Sequence, residues 1–148
     1  MSPPSLKELV STGRIEQVPA DQEVAAAVLE EAHRHLLSAD AIAEIDPSGA
    51  YSLLYDASRK AVSAHMTAKG FRASSDRPGS HAAVIAYATA VLKAGGASEL
   101  LRNFDRMRRT RHRVEYDGTI IGSRQLQEDL QQARRIVDLV ESAWPAPS

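Results

Sequence analysis

Apolar residues recur along this chain at the three-to-four spacing of helices, and polar or turn-forming stretches separate the runs. Val24, Val28, Leu29, Ala32, Leu36 and Ala39 form the first run, with Asp21 as N-cap, and predict a helix to about Glu44 before the turn DPSG. The next predicted helix covers Ala50 to Lys69. Tyr51, Leu54, Tyr55, Ala61, Val62 and Met66 line one side of it, and Leu53, Ala57, Ala64 and Ala68 a second, which makes it the central helix, with Gly70 just past its end. Ser58 and His65 fall on the first of these stripes, and His65 reads as a hydrogen-bonded core histidine.

After the polar loop FRASSDRPGS, with Ser80 as N-cap, the segment HAAVIAYATAVLK is apolar nearly all round and predicts a buried helix from His81 to Lys93. His81 in its first turn could donate to a ligand or be an incidental helix-end histidine. Gly95 and Gly96 end that helix, and an arginine-rich helix follows from Ser98 to Asp117, where Glu99 suits the helix dipole. The last helix, Ser123 to Ala143, carries the stripe Leu126, Leu130, Ala133, Val137 and Val140. Five helices without an alternating strand pattern predict an all-α, five-helix, up-and-down-like bundle. Residues 1–20 hold one short helical candidate, Leu6 to Val10, and read as a partly ordered arm; 21–143 form the domain and 144–148 a tail.

The arginine helix carries the candidate chemistry. With 100° per residue and Arg111 at zero, Leu100, Phe104, Met107 and Val114 fall within about 60° of it, while Arg102, Arg106, Arg109 and Arg113 lie near the opposite, solvated pole. Arg111, flanked by Arg108 and Glu115, therefore lies along the apolar stripe, where a guanidinium must be paired or meet a ligand. A structural ion pair with Glu115 one turn on is the plain alternative to a ligand.

Composition narrows the chemistry further. The 148 residues contain no cysteine, which removes disulfides and thiolate chemistry, and five scattered histidines suggest no metal site. No run approaches 18 apolar residues, so a soluble, cytoplasmic chain with no membrane contact is expected. The net charge of -1 hides six arginines between Arg102 and Arg113 against Asp105 alone, with twelve basic and eighteen acidic residues elsewhere. Such a concentration attracts phosphate, or pairs with an acidic surface on a second subunit. With seven aromatics in all, and only Phe104 and Tyr116 near the arginines, there is no stacking platform for single strands.

The long first helix, YSLLYDASRKAVSAHMTAKGFR, the start GSHAAV and the segment FDRMRRTRHRVEYDG together resemble the HEPN superfamily, over about residues 21 to 143. These are small helical domains of toxin–antitoxin and other RNA-processing systems, and the likeness is to a divergent bacterial branch. The resemblance implies a homodimer whose arginine helices face each other and, in active members, a metal-independent ribonuclease site without cofactor, made from an Arg and a His four to six positions on. By register Arg111 takes the arginine position, His112 the polar position, and Tyr116 the place of the histidine. A tyrosine of ordinary pKa near 10 is a poor base at neutral pH. The implied set is Arg111, His112 and Tyr116 as catalytic residues, with Arg108 and Arg106 binding ligand; Arg106 with His112 is the looser match. Three functions remain open at this point: a module that binds RNA or nucleotide phosphate, or an antitoxin- or nucleotidyltransferase-type protein; a ribonuclease toxin; and a purely structural dimer.

Overall fold

In the computed structural model, residues 2–75 and 78–147 are described, and they form a mostly helical bundle with one small sheet. The chain runs α1 (Leu6–Ser11), β1 (Ile15–Gln17), α2 (Gln22–Ile42), α3 (Pro47–Lys69), β2 (Phe71–Ala73), α4 (Ser80–Val91), α5 (Ala97–Tyr116) and α6 (Ser123–Ser142). The five long helices fall where the periodicity put them, to within a few residues. Of the loop expected after Gly70, Asp76 and Arg77 lie outside the described residues.

The differences lie at the ends. Within residues 1–20, read from sequence as an arm, Ser5 and Glu8 close a reciprocal capping box that starts α1, and Leu9 and Ile15 are buried in the core. Ile15 to Gln17 pair antiparallel with Phe71 to Ala73, Ile15 opposite Ala73, so two three-residue strands stand where none was expected. α4 and α5 begin after Gly79 and Gly96, both at positive φ and with no side-chain cap, rather than at Ser80 and Ser98.

Local chemistry explains the remaining ends. Asp21 accepts from the Val24 amide at 3.0 Å, and Asp46 accepts from the Gly49 amide at 3.0 Å with Pro47 in the first turn. Gly70 ends α3 in the left-handed region at φ 91°, and its carbonyl accepts from the Val18 amide at 2.9 Å. A Cβ there would meet the Val18 carbonyl at 2.8 Å. Gly70→Ala is therefore expected to cost about 2 kcal/mol, from the disfavoured backbone and the displaced strand, read as a lower urea midpoint at unchanged slope.

α3 is the central helix: it packs against α2, α4, α5 and α6. Twelve of its residues are buried, among them the whole first stripe and Ala57, Ala64 and Ala68 of the second, while Leu53 is half-buried. Tyr51, Tyr55, Tyr87 and Phe104 are fully buried, which leaves three of the seven aromatics outside the innermost core. His65 is buried as well, taking the Tyr87 hydroxyl at Nδ1 (2.9 Å) and donating from Nε2 to the Ala143 carbonyl (2.9 Å). Among the described residues no helix is long and apolar enough to cross a membrane.

Candidate functional site

α5 presents two different arginine faces to the rest of the bundle. Towards α6 it sends Arg106. Its Nη2 and Nη1 reach Asp129 at 2.6 and 3.2 Å, and the Tyr51 hydroxyl donates to the same carboxylate at 2.7 Å. Asp129 is only 2 % exposed. Arg106, placed at the solvated pole by its helical angle, is thus paired with a buried acid, although its side chain stays 39 % exposed. The helical angle alone ignores α6, which packs on the flank of α5 and supplies a buried acid to a side chain long enough to reach it. Burial, then the hydrogen bond to Asp129, raises the pKa of Tyr51 above its usual range, so it stays a donor.

Towards α3 and α4 the same helix sends Arg108 and Arg111. They line a pocket of about 440 Å³ together with Tyr55, His81, Arg109, His112 and Arg113. Arg111 is held at one end by Glu115, Nη2 to Oε1 at 3.0 Å, and Glu115 is itself fixed by the Ser52 hydroxyl at 3.2 Å. Its guanidinium carbon lies 5.7 Å from the centre of the Tyr55 ring, within cation–π range. Its buried Nε has no hydrogen-bond partner among the described residues, and neither does the buried Nε of Arg59 on α3. A buried guanidinium N–H without an acceptor is costly.

The other walls are equally determined. The Tyr55 ring rests against Phe104, centroids 5.9 Å apart, and its hydroxyl is 3.1 Å from His81 Nδ1. Burial pushes Tyr55 up to about 12 despite the downward pull of Arg59, Arg108 and Arg111. Burial, then Arg59 and Arg111, lowers His81 below its ordinary value. The pocket at pH 7 thus holds a phenol and an uncharged imidazole beside several guanidinium groups. Asp105 occupies Arg108 at 3.0 Å and Arg109 at 3.3 Å, while Arg113 reaches, among the described residues, only the Thr110 hydroxyl, at 3.4 Å. Such a site is suited to gripping an oxyanion, and the imidazole is able to exchange a proton with it.

Of the residues proposed from sequence, Arg108, Arg111 and His112 come together in this pocket. Tyr116 does not line it: the side chain is largely exposed, its ring 4.8 Å from that of His112. Arg111 also makes the Glu115 pair that was its structural alternative, so the pair and the unpaired Nε coexist. Sequence reasoning missed Tyr55 as a pocket residue, taken for core alone; Arg59, one turn beyond it on α3, does not line the pocket. The sequence left His81 undecided, although an imidazole at the start of a buried helix sits where α4 meets a neighbour. Among the described residues no cluster of three His, Asp or Glu side chains is placed to hold a metal ion. No family model, no curated protein and no solved structure matches the chain.

Proposed function

We propose that this chain is a non-catalytic or weakly active HEPN-type helical module that binds the phosphate of RNA or of a nucleotide and works as a homodimer. The observation that carries the reading is Arg111, clamped by Glu115 and laid over Tyr55, with its buried Nε unpaired, in the lining it shares with Arg108. A guanidinium fixed at one end and unsatisfied at the other is preorganised for an anion, because little side-chain freedom remains to be lost on binding. The resemblance of the sequence to the HEPN superfamily supports the choice of phosphate and the dimer. The exposed Tyr116 and Ile120 give the end of α5 an apolar surface suited to a subunit contact.

A short fluorescent RNA titrated with the protein at several salt concentrations tests this. The expected result is a log–log salt slope of about -2 or steeper, and an affinity about tenfold weaker for Arg111→Met at unchanged fold. RNA affinity identical for parent and Arg111→Met would overturn the reading. The ribonuclease alternative is favoured by one observation, that Arg111 and His112 line the same pocket. Incubation with total RNA in EDTA decides it: cleavage by the parent but not by Arg111→Ala makes the module an enzyme.

A further inference from the structure

We propose that the pocket between α3, α4 and α5 takes a terminal phosphomonoester, at the end of a nucleotide or of a phosphorylated RNA, and that Tyr55 with His81 distinguishes it from an internal phosphodiester. The inference rests on the phosphate-binding reading above and adds to it the kind of phosphate.

Charge is the first argument. Four guanidinium groups line the pocket, Arg108, Arg109, Arg111 and Arg113, and two carboxylates are paired with them, Asp105 with the first two and Glu115 with the third. Arg59 and Asp56 behind the wall offset each other, at 3.6 Å. Two positive charges are thus unmatched before any histidine protonates. A phosphomonoester carries about -1.5 to -2 at neutral pH and a diester only one negative charge.

The placement of donors is the second. On the α5 side, among the described residues, the buried Arg111 Nε has no partner and Arg113 holds only a long bond to Thr110. On the α3 and α4 side, where Arg111 lies over the Tyr55 ring, the Tyr55 hydroxyl and the His81 imidazole are hydrogen-bonded to each other. A monoester has three terminal oxygens and can meet both sides at once. A diester has two, and satisfying the arginines leaves the one donor that the bonded Tyr55–His81 pair has to spare without an acceptor.

Proton linkage is the third. The charged and titratable groups facing His81 are Tyr55, Asp56 and Arg59 of α3 and Arg108 and Arg111 of α5; burial and the arginines keep its imidazole uncharged, Asp56 opposing them. A dianion in the pocket reverses that balance, so binding draws a proton onto the site. Because a monoester's own second pKa is about 6, its affinity is expected to rise as the pH falls from 8 and to level off below about 6.

Calorimetry with four probes tests the proposal: a nucleoside 5′-monophosphate, its methyl phosphodiester, and a hexanucleotide carrying either a 5′-phosphate or a 5′-hydroxyl. The monophosphate is expected to bind about tenfold tighter than its methyl diester at pH 7, the worth of one charge-assisted hydrogen bond. His81→Gln and, as a second route that removes only a hydroxyl, Tyr55→Phe should each shrink that ratio and flatten the pH dependence, with thermal unfolding confirming that the variants fold. Preference for the phosphorylated over the hydroxyl hexanucleotide marks an RNA end as the source, and binding of the mononucleotide alone marks a free nucleotide; either sustains the proposal. Equal affinity for both esters, or a preference that survives both substitutions, overturns it and leaves phosphate binding standing. No binding of any probe overturns both.

Discussion

Replacing Asp129 by alanine is expected to lower the unfolding free energy by about 3 kcal/mol, because it strands two partners at once. The Tyr51 hydroxyl, fully buried and donating to Asp129 at 2.7 Å, would lose its acceptor. The Arg106 guanidinium would lose both of its bonds, at 2.6 and 3.2 Å. Its side chain is 39 % exposed, so water recovers part of that loss, and the figure stays at the lower end of what breaking a buried pair costs. Urea unfolding of the parent and of Asp129→Ala measures the difference directly. The double substitution Arg106→Met with Asp129→Leu should recover most of it, since two apolar groups leave no charge in want of a partner. A cost under about 1 kcal/mol for the single alanine would mean that water reaches the network freely and that Asp129 is not a buried anchor.

The same network explains why α5 offers Arg108 and Arg111 to the pocket and not some other pair. Arg106 is tied to α6 through Asp129, and Thr110, one turn further on, is buried beside it. That fixes the rotation of α5 about its axis. Arg108 and Arg111, three apart, then emerge together on the side facing α3 and α4. Six arginines in twelve residues look alike as a charge run, but the fold divides them among structural anchoring, pocket lining and solvent.

How much of this the sequence disclosed follows from the range of the interactions involved. The long helices were legible because their signals are local: apolar periodicity, Asp21 before the first turn of α2, Gly70 after the last turn of α3. The inward position of Arg111 was legible for the same reason, and so was its pair with Glu115 four residues away. β1 and β2 were not, since three residues give no alternation to count and Ile15 and Ala73 are separated in the chain by α2 and α3. Arg106 was misplaced because its partner is 23 residues distant on another helix. The pocket was half legible. Its α5 wall is written in one stretch of sequence, whereas Tyr55 and His81, 26 residues apart, meet only through the packing of α3 against α4.

His65→Ala is the other substitution expected to cost about 3 kcal/mol, and it carries a pH signature of its own. A backbone carbonyl can only accept, so the bond to Ala143 places the proton on Nε2 and leaves Nδ1 to accept from Tyr87. One uncharged tautomer therefore satisfies the imidazole, the buried Tyr87 hydroxyl and the end of α6, and the Trp144 ring stands edge-on to the imidazole at 6.3 Å. Alanine removes all of these contacts and leaves a cavity. Burial lowers the pKa of His65, with the bond to Ala143 opposing and Lys69 adding to the fall. The folded value lies below the unfolded one, so the unfolded chain takes up the proton first. The stability due to neutral His65 is complete above about pH 6.5 and declines by at most about 1.4 kcal/mol per unit as the pH falls from there to the folded value. Urea midpoints measured from pH 7.5 to 5 should show that decline in the parent and a shallower one in His65→Ala. Parallel curves for the two proteins would mean that another group, and not the histidine pinning the end of α6, sets the acid sensitivity of the fold.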